Sequence, residues 1–401
     1  MNGTEQRELA VVGGGAAGLA CALSLSRAGF ALTLVAPPAP PSRGRTVALF
    51  DGSMRLLRAL GLWDALEPRA APLERLCLID DTGSLFRPPP ATFLAQEIGL
   101  DAFGWNIDLG DLQNALNDAL AREAHVARRD VAATGFHAVG GRGRVLLADG
   151  SSIDAALTIA ADGGRSTIRA AADIGTREWA YPQSALTTTV AHDRAHRFIS
   201  TEFHTRQGPF TFVPLPGRRS SIVWVAAPEE AERLHALSDE DLSLEIERRS
   251  HSYLGKTQVD GPRGLVPLRG LSAKSLTAPN LMLAGEAAHV FPPIGAQGLN
   301  LGLRDAATII DILSDARDAG TPLGDTDILS RYEHARRLDV GMRSFSVDLL
   351  NRTLLSPFLP ADALRGAGLL ALSQIAPLRR FVMKMGIGAP GETPKLMRDS
   401  A

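Results

Sequence analysis

Val11-Val12-Gly13-Gly14-Gly15-Ala16-Ala17-Gly18 is the stretch on which the reading of this chain turns. Leu9 to Val12 is apolar and short enough for a buried strand, Leu19 to Ala28 is an Ala/Leu-rich helix, and Ala31 to Val35 is a second strand. Together they make a β-α-β unit of about thirty residues, the context in which G-x-G-x-x-G carries meaning. The first glycine, Gly13, permits the tight turn. Gly15 lets a pyrophosphate approach the backbone, and Gly18 lets helix and strand pack closely. Helix amides after the turn then face phosphate oxygens, and the helix dipole favours their charge. Gly13, Gly15, Ala16, Ala17 and Gly18 are therefore candidate dinucleotide contacts; the alternative is a tight turn of purely structural use.

Bulk properties narrow the field. With 401 residues the chain can bury two sizeable cores. Its 42 Lys plus Arg nearly balance 44 Asp plus Glu, so no global charge draws it to nucleic acid. Two cysteines, Cys21 and Cys77, make neither a disulfide framework nor a zinc spacing, and no metal site is expected. The polar start, Met1 to Glu8, lacks the pattern of a secretory signal, and no apolar run reaches the roughly 18 to 20 residues of a membrane span. The expectation is cytoplasmic residence, with peripheral attachment to a membrane left open.

Further along, Pro37 to Ser42 reads as a proline-rich loop, Ser53 to Leu60 as a helix, and Asp111 to Glu123 as a helix with Leu112, Leu116 and Leu120 on one face. Short strands follow between Val131 and Ala160, with Asp149-Gly150 as a hairpin turn. Thr187 to Val190, Arg197 to Thr205, Gly208 to Leu215 and Ser220 to Ala226 predict a separate, mostly antiparallel sheet. Glu229 to Tyr253 reads as helical, Asn280 to Ala284 as a buried strand, and Leu299 to Leu313 as a helix that opens a helical remainder reaching about Met385.

Two more motifs lie where strands meet helices. Ala160-Ala161-Asp162-Gly163-Gly164-Arg165-Ser166 offers Asp162 and Ser166 either as ligand contacts or as turn and cap residues. Leu283-Ala284-Gly285-Glu286-Ala287-Ala288-His289, followed by Pro292 through Asp305, joins a strand end, an acid, a glycine-rich loop and a helix start. That order presents a carboxylate to a polyol and helix amides to an electron-rich ring edge. After the second strand, where an acid usually accepts from the adenosine ribose, stands Leu34-Val35-Ala36-Pro37. Backbone, Arg43 or Arg45 must replace that contact. Arg45 also suits a pyrophosphate, or is a solvated loop residue.

All three motifs in this order resemble the flavoprotein aromatic hydroxylases of the p-hydroxybenzoate hydroxylase type, along nearly the whole chain. Within that superfamily the chain is similar to the ubiquinone-biosynthesis hydroxylases, through Arg45-Thr46-Val47-Ala48-Leu49, Gly285 through Asp305, and Pro377-Leu378-Arg379-Arg380-Phe381. The resemblance implies an α/β fold: a Rossmann-type FAD-binding domain with an inserted, mostly antiparallel β-sheet substrate domain and a helical C-terminal region. It places the FAD-binding domain at 1–70, 101–175 and 275–345, the substrate domain at 71–100 and 176–274, and the helical region at 346–401. The Gly13 to Gly18 turn would hold the FAD pyrophosphate, with Arg45 and Val131 in the cofactor set. Asp162 would support FAD and reductant binding. Gly285 and Glu286 would meet the ribityl chain, where the family carries Asp. Gly295, Gly298, Leu299 and Asn300 would line the pyrimidine edge of the flavin, their amides stabilising charge on the reduced ring. Leu109 stands where family members often carry a polar or basic FAD contact.

The activity so implied is hydroxylation of a polyprenylated phenol in ubiquinone biosynthesis, through a flavin hydroperoxide formed from O2, with NAD(P)H or another electron donor as reductant. The protein's task is to hold the ring and exclude water. No Ser/His/Asp arrangement or metal-ligand spacing is required by this chemistry; His289 is a weak catalytic candidate beside the flavin loop, against a structural role. Hydroxylation of another aromatic compound, a flavin dehydrogenase or reductase, and a non-catalytic flavoprotein in a biosynthetic complex are the competing readings. A basic amphipathic segment from Leu364 to Met385, with Arg365, Arg379, Arg380 and Lys384, suits either a peripheral membrane surface or helix packing. Phe198, Phe203, Phe210, Phe212, Val213 and Trp224 are candidates for an apolar channel wall, or for ordinary sheet core.

Overall fold

A computed structural model describes residues 4–38, 42, 44–83, 89–292, 296–355, 368, 371–372, 374–387 and 392–398, without the side chains of 342–355. Its first sheet is built on the β-α-β unit. Thr4–Val12 runs parallel to Leu32–Val35 on one side and to Ser152–Ala160 on the other. Leu281–Leu283 adds beyond Ser152–Ala160, and Val126–Arg129 beyond Leu32–Val35, both parallel. Leu9, Val11, Leu34, Leu157 and Ile159 are completely buried, as expected where a parallel sheet is covered on both faces. The helices Ala16–Arg27, Leu109–Leu120 and Gln297–Asp318 supply part of that cover.

Several elements depart from their expected bounds for visible reasons. The first strand starts at Thr4 because its polar half pairs with Ser152 to Ala155, the outer part of a strand that also closes a hairpin with Arg142–Leu147. The helix expected over Glu229 to Tyr253 is two, Pro228–Ala236 and Asp239–Arg249. Ser238 breaks it by turning its hydroxyl to the Asp241 amide, 3.0 Å away, as an N-cap. The strand expected over Thr187 to Val190 is the centre of a much longer one, Thr176–His192, whose register shifts between Ala180 and Ser184, across Pro182.

The second sheet is mostly antiparallel and runs, in spatial order, Gly264–Ala273, Thr176–His192, Arg219–Ala226, Gly208–Leu215, Ile199–Thr205, Arg75–Asp80 and Ala91–Leu94. Arg75–Asp80 lies parallel to Ile199–Thr205. His289–Val290, next to the third motif, pairs with Gly264–Ala273 and so joins this sheet to the loop that follows Leu281–Leu283.

The two faces of the second sheet differ. Phe203, Phe210, Phe212 and Trp224 lie on one face, buried with Leu186 and Ile222 beneath Ala231, Leu234, Leu242 and Ile246 of the two acidic helices. These aromatics form the sheet's own core and so are not a channel wall. Phe198 is exposed in a turn, and Val213 alone of that set is on the opposite face, half-buried. That opposite face meets the first half of the molecule: Asn106 donates to the Pro214 carbonyl at 2.9 Å and to the Ser221 hydroxyl at 3.2 Å.

Candidate active site at the ends of the parallel strands

Three adjacent parallel strands end in register, Val12 beside Ala160 and Ala160 beside Leu283. The Gly13 turn, Asp162 and the Gly285-Glu286 pair follow directly from these ends. The three motifs therefore converge at the carboxyl edge of the sheet, where open α/β sheets bind their ligands.

The glycines divide into two kinds. A Cβ on Gly13, at φ +134°, would sit 2.1 Å from the Ala161 carbonyl oxygen, and one on Gly18 would sit 2.2 Å from that of Gly13. Both are needed to close the turn. Gly15 is exposed, and a Cβ there would meet no atom of the described residues within 4 Å; a Cβ on the half-buried Gly298, at the start of Gln297–Asp318, would likewise meet none of them. These two open positions flank helix N-termini whose first amides have no partner inside the helix. Ala17 packs against the third motif, its Cβ standing 3.1 Å from a Cβ built on Gly285 and 3.0 Å from one built on Gly302. Ala16 is buried in the helix start.

Asp162 uses one carboxylate oxygen to accept from the Ile168 amide at 3.2 Å, capping the short helix Thr167–Ala171 with Ser166. Its other oxygen is buried without a hydrogen-bond partner among the described residues, which suits a ligand donor. Glu286 is exposed on the turn Gly285–Ala287. Val131 lies just past the end of Val126–Arg129, half-buried against the core. Arg45 is exposed and fixed through its backbone, whose carbonyl accepts from the Leu109 amide at 2.7 Å. Leu299 lies in the helix's first turn. Gly295 and Arg43 fall outside the described residues. Ala36 and Pro37 follow the second strand, so no side-chain acid stands in the ribose position.

The expectation for Asn300 concerned its backbone amide, and its side chain has a structural use of its own. Its side-chain oxygen accepts from the Phe50 amide (2.8 Å) and the Ser53 hydroxyl (2.7 Å), and its amide donates to the carbonyls of Ala48 (2.8 Å) and Ala296 (2.7 Å). With all four bonds made inside the protein, the side chain pins Thr46–Phe50 to the helix start. His289 is likewise buried, with Nε2 2.8 Å from Asp305 Oδ2. This is the structural role that stood against its candidacy.

Asp305 and its partner Arg336 were not singled out by sequence reasoning, although Gly285 and His289 were. The same Asp305 oxygen accepts from the Gly285 amide at 2.8 Å, and its other oxygen accepts from Arg336 Nε at 2.6 Å. Arg336 also reaches Asp339, which pairs with Arg304 at 3.0 Å. Burial works to raise the Asp305 carboxyl, but the charges of His289 and Arg336 and the Gly285 amide outweigh it and hold it below its usual value. Asp108 was also missed: it caps Leu109–Leu120 through Gly110 (2.8 Å) and accepts from the Gly44 amide at 3.1 Å, setting the loop beside Arg45. An Asp immediately before a helical pattern was the available signal.

These features fit a flavin dinucleotide. Gly13 to Gly18 would hold the pyrophosphate, Asp162 and Glu286 would accept hydroxyl donors, and the amides of Gln297 to Leu299 would face the ring edge. Between the Gly44 to Thr46 loop and the second sheet lies a cleft of about 330 Å³, bordered by the Arg69–Asp111 and Arg219–Asp260 ion pairs.

Comparison with known proteins agrees with this geometry. The family described as "FAD binding domain" matches residues 6–344. Ubiquinone hydroxylase UbiL of Rhodospirillum rubrum is 32% identical over 410 residues, covering 98% of this chain and 92% of its own. The 3-demethoxyubiquinol 3-hydroxylase of Escherichia coli K12 is 32% identical over 390 residues, covering 95% and 98%. Among solved structures, p-nitrophenol 4-monooxygenase PnpA of Pseudomonas putida DLL-E4 superposes with a TM-score of 0.79 over 97% of this chain and 100% of its own, at 19% identity, a likeness of fold.

The two kinds of glycine make opposite predictions. Gly15→Val is expected to give folded protein that purifies without yellow colour, because the side chain fills ligand space only. Gly13→Val is expected to prevent folding. Circular dichroism and flavin absorbance on both variants check this; normal flavin stoichiometry in Gly15→Val contradicts the site.

Proposed function

The chain belongs to the FAD-dependent aromatic-ring monooxygenases of the ubiquinone-hydroxylase kind, and from that premise we propose that it hydroxylates the ring of a polyprenylated phenol in ubiquinone biosynthesis. The observation that carries this reading is end-to-end similarity to two relatives named for hydroxylating ubiquinone or its demethoxy precursor. Support also comes from the second sheet. Beyond its strand Arg75–Asp80, Leu76, Leu78, Phe93, Phe103 and Met383 form an apolar cluster at the edge of the face turned to the first half of the molecule. An isoprenoid tail needs such surface.

Bound FAD would supply the redox chemistry, by which one oxygen atom of dioxygen enters the ring and the other leaves as water. Asp162, Glu286 and the helix amides would bind and orient that group. The proposed reductant is NAD(P)H. Arg165 and Arg269 are both exposed, with Arg269 Nη2 3.4 Å from a Cβ built on Gly164, so two cations are available to its phosphates. Gly13, Gly15, Gly18, Arg45, Val131, Asp162, Gly285, Glu286, Gly298 and Leu299 make up the proposed cofactor set.

Peripheral membrane attachment is the second part of the proposal. Among the described residues no helix is long and apolar enough to cross a membrane. The helix Ala376–Ile387 turns Met383 inward, 5% exposed, and leaves Leu378, Phe381, Val382 and Met385 outward, with Phe381 60% exposed. Arg380 and Lys384 are exposed beside them. Arg379 is taken by Glu97, 2.7 Å away, and so is not available to head groups. Arg365, Leu369 and Leu370 lie outside the described residues. An exposed apolar stripe flanked by cations suits an anionic lipid surface.

Deleting the gene in its own host is expected to abolish ubiquinone and accumulate a prenylated phenol short of one ring hydroxyl, identified by mass spectrometry. Normal quinone levels in a host without a second such hydroxylase contradict the substrate. In flotation with anionic vesicles, Arg380→Gln with Lys384→Gln should lower the bound fraction several-fold, at about 1 kcal/mol per cation. Unchanged flotation removes the membrane role.

A further inference from the structure

The face of the second sheet opposite its aromatic core carries one stripe that is half-buried on five consecutive strands. Thr187, Val223, Thr211, Glu202 and Leu78 are neighbours in register on five consecutive strands, and each is only partly covered. The next stripe on that face, Thr189, Ser221, Val213, Ser200 and Leu76, contains the Ser221 hydroxyl that meets Asn106. This face therefore looks toward the strand Gly104–Asp108 and its partner Thr46–Phe50, which Asn300 fixes to the start of the helix Gln297–Asp318. Among the five residues of the half-buried stripe, Glu202 is the sole ionisable one.

Glu202 is held in place. One oxygen is 2.6 Å from His204 Nε2, and the other accepts from the Thr211 hydroxyl at 3.3 Å. His204 is 6% exposed and Glu202 23%, so the imidazole is interior and the carboxylate reaches the open side. The other ring nitrogen of His204, Nδ1, is buried with no hydrogen-bond partner among the described residues. On the neighbouring strands the titratable group on this face is Asp80, in register with His204 and engaged with Thr82 at 2.7 Å. A carboxylate fixed on an otherwise uncharged stripe, with an apolar cluster at one end, is arranged for a ligand with one polar head and an apolar body.

We infer that Glu202 accepts the hydrogen bond of the substrate's phenolic hydroxyl, with His204 as its positioning residue. The inference rests on the phenol reading above. An O–H bonded to a carboxylate is polarised and releases electron density into the ring, which favours attack by ring carbon on an electrophilic oxygen; the bond also fixes which ring carbon is presented. No proton need leave the phenol oxygen before the ring reacts. Burial works to raise the Glu202 carboxyl, but the hydrogen bond and charge of His204, with Thr211, outweigh it and hold it below the usual value, so the acceptor stays ionised at neutral pH.

The test uses FAD-loaded protein and two pairs of probes, 2-geranylphenol with its methyl ether and 2-methylphenol with its methyl ether, titrated against the flavin spectrum. Wild type should bind each phenol about tenfold or more tightly than its ether, the worth of one hydrogen bond to a charged group. Glu202→Gln and Glu202→Ala should reduce that preference to within about twofold with FAD content unchanged, and Glu202→Asp should restore part of it. In His204→Gln the carboxyl loses the partner that depresses it, so as pH is lowered the preference should fade at a higher pH than in wild type. A preference retained in Glu202→Gln, or absent from wild type, overturns the assignment. A Glu202-dependent preference with no gain from the geranyl tail upholds Glu202 and overturns the prenylated substrate instead.

Discussion

One buried carboxylate, Asp305, decides where the third motif stands. It takes the Gly285 amide and His289 with one oxygen and Arg336 with the other, so the turn after Leu281–Leu283 is tied both to the helix Gln297–Asp318 and to the helix Thr326–Leu355. Tyr332 reinforces the tie with a 2.7 Å bond to the Leu283 carbonyl. Such a network is costly to desolvate and gains its value from being complete. Removing one partner strands the others as buried charges, at about 3 to 5 kcal/mol. A hydrophobic substitute would not serve beside Glu286, because only directional bonds fix a turn whose Gly285 stands at φ +59°.

Around this anchor the molecule brings two surfaces together. The parallel sheet delivers three motifs to one edge, because parallel strands in register end at the same level. The second sheet turns its aromatic core away, under two acidic helices, and its polar and half-buried stripes inward. Asn106 and Asn300 are the rivets: the first binds the inward face, the second binds Thr46–Phe50 to the start of the helix Gln297–Asp318. A cofactor held at the strand ends and a ring lying on the stripe that contains Glu202 would then face each other across the same space.

Much of this was legible from the residues alone. Gly13, Gly15 and Gly18 announced the turn because their spacing follows from the geometry of a strand passing into a helix, and Asp162 and Gly285 stood out because they too follow apolar strands. The inserted sheet was legible from its alternation, but not which face was which, since a period of two is unchanged by inversion. That is why Phe210 and Trp224 were candidates for a channel wall until the helices Pro228–Ala236 and Asp239–Arg249 were seen to cover them. The Asp305, Arg336 and Asp339 network joins residues far apart in sequence, and a lone Asp on a helix carries no local sign of its partners. Asn300 and His289 were noticed for their place beside a motif, yet their side chains turn inward, because their neighbours in space are Phe50, Ser53 and Asp305.

The central claim is that this site directs an oxygen atom from dioxygen into a phenol ring. Its most direct measurement is a single turnover: enzyme with chemically reduced FAD, mixed with 2-geranylphenol and isotopically heavy dioxygen, analysed by mass spectrometry. The account predicts a hydroxylated ring carrying a single heavy oxygen atom. Unchanged phenol with stoichiometric hydrogen peroxide, under conditions where the flavin spectrum shows the phenol bound, would contradict it.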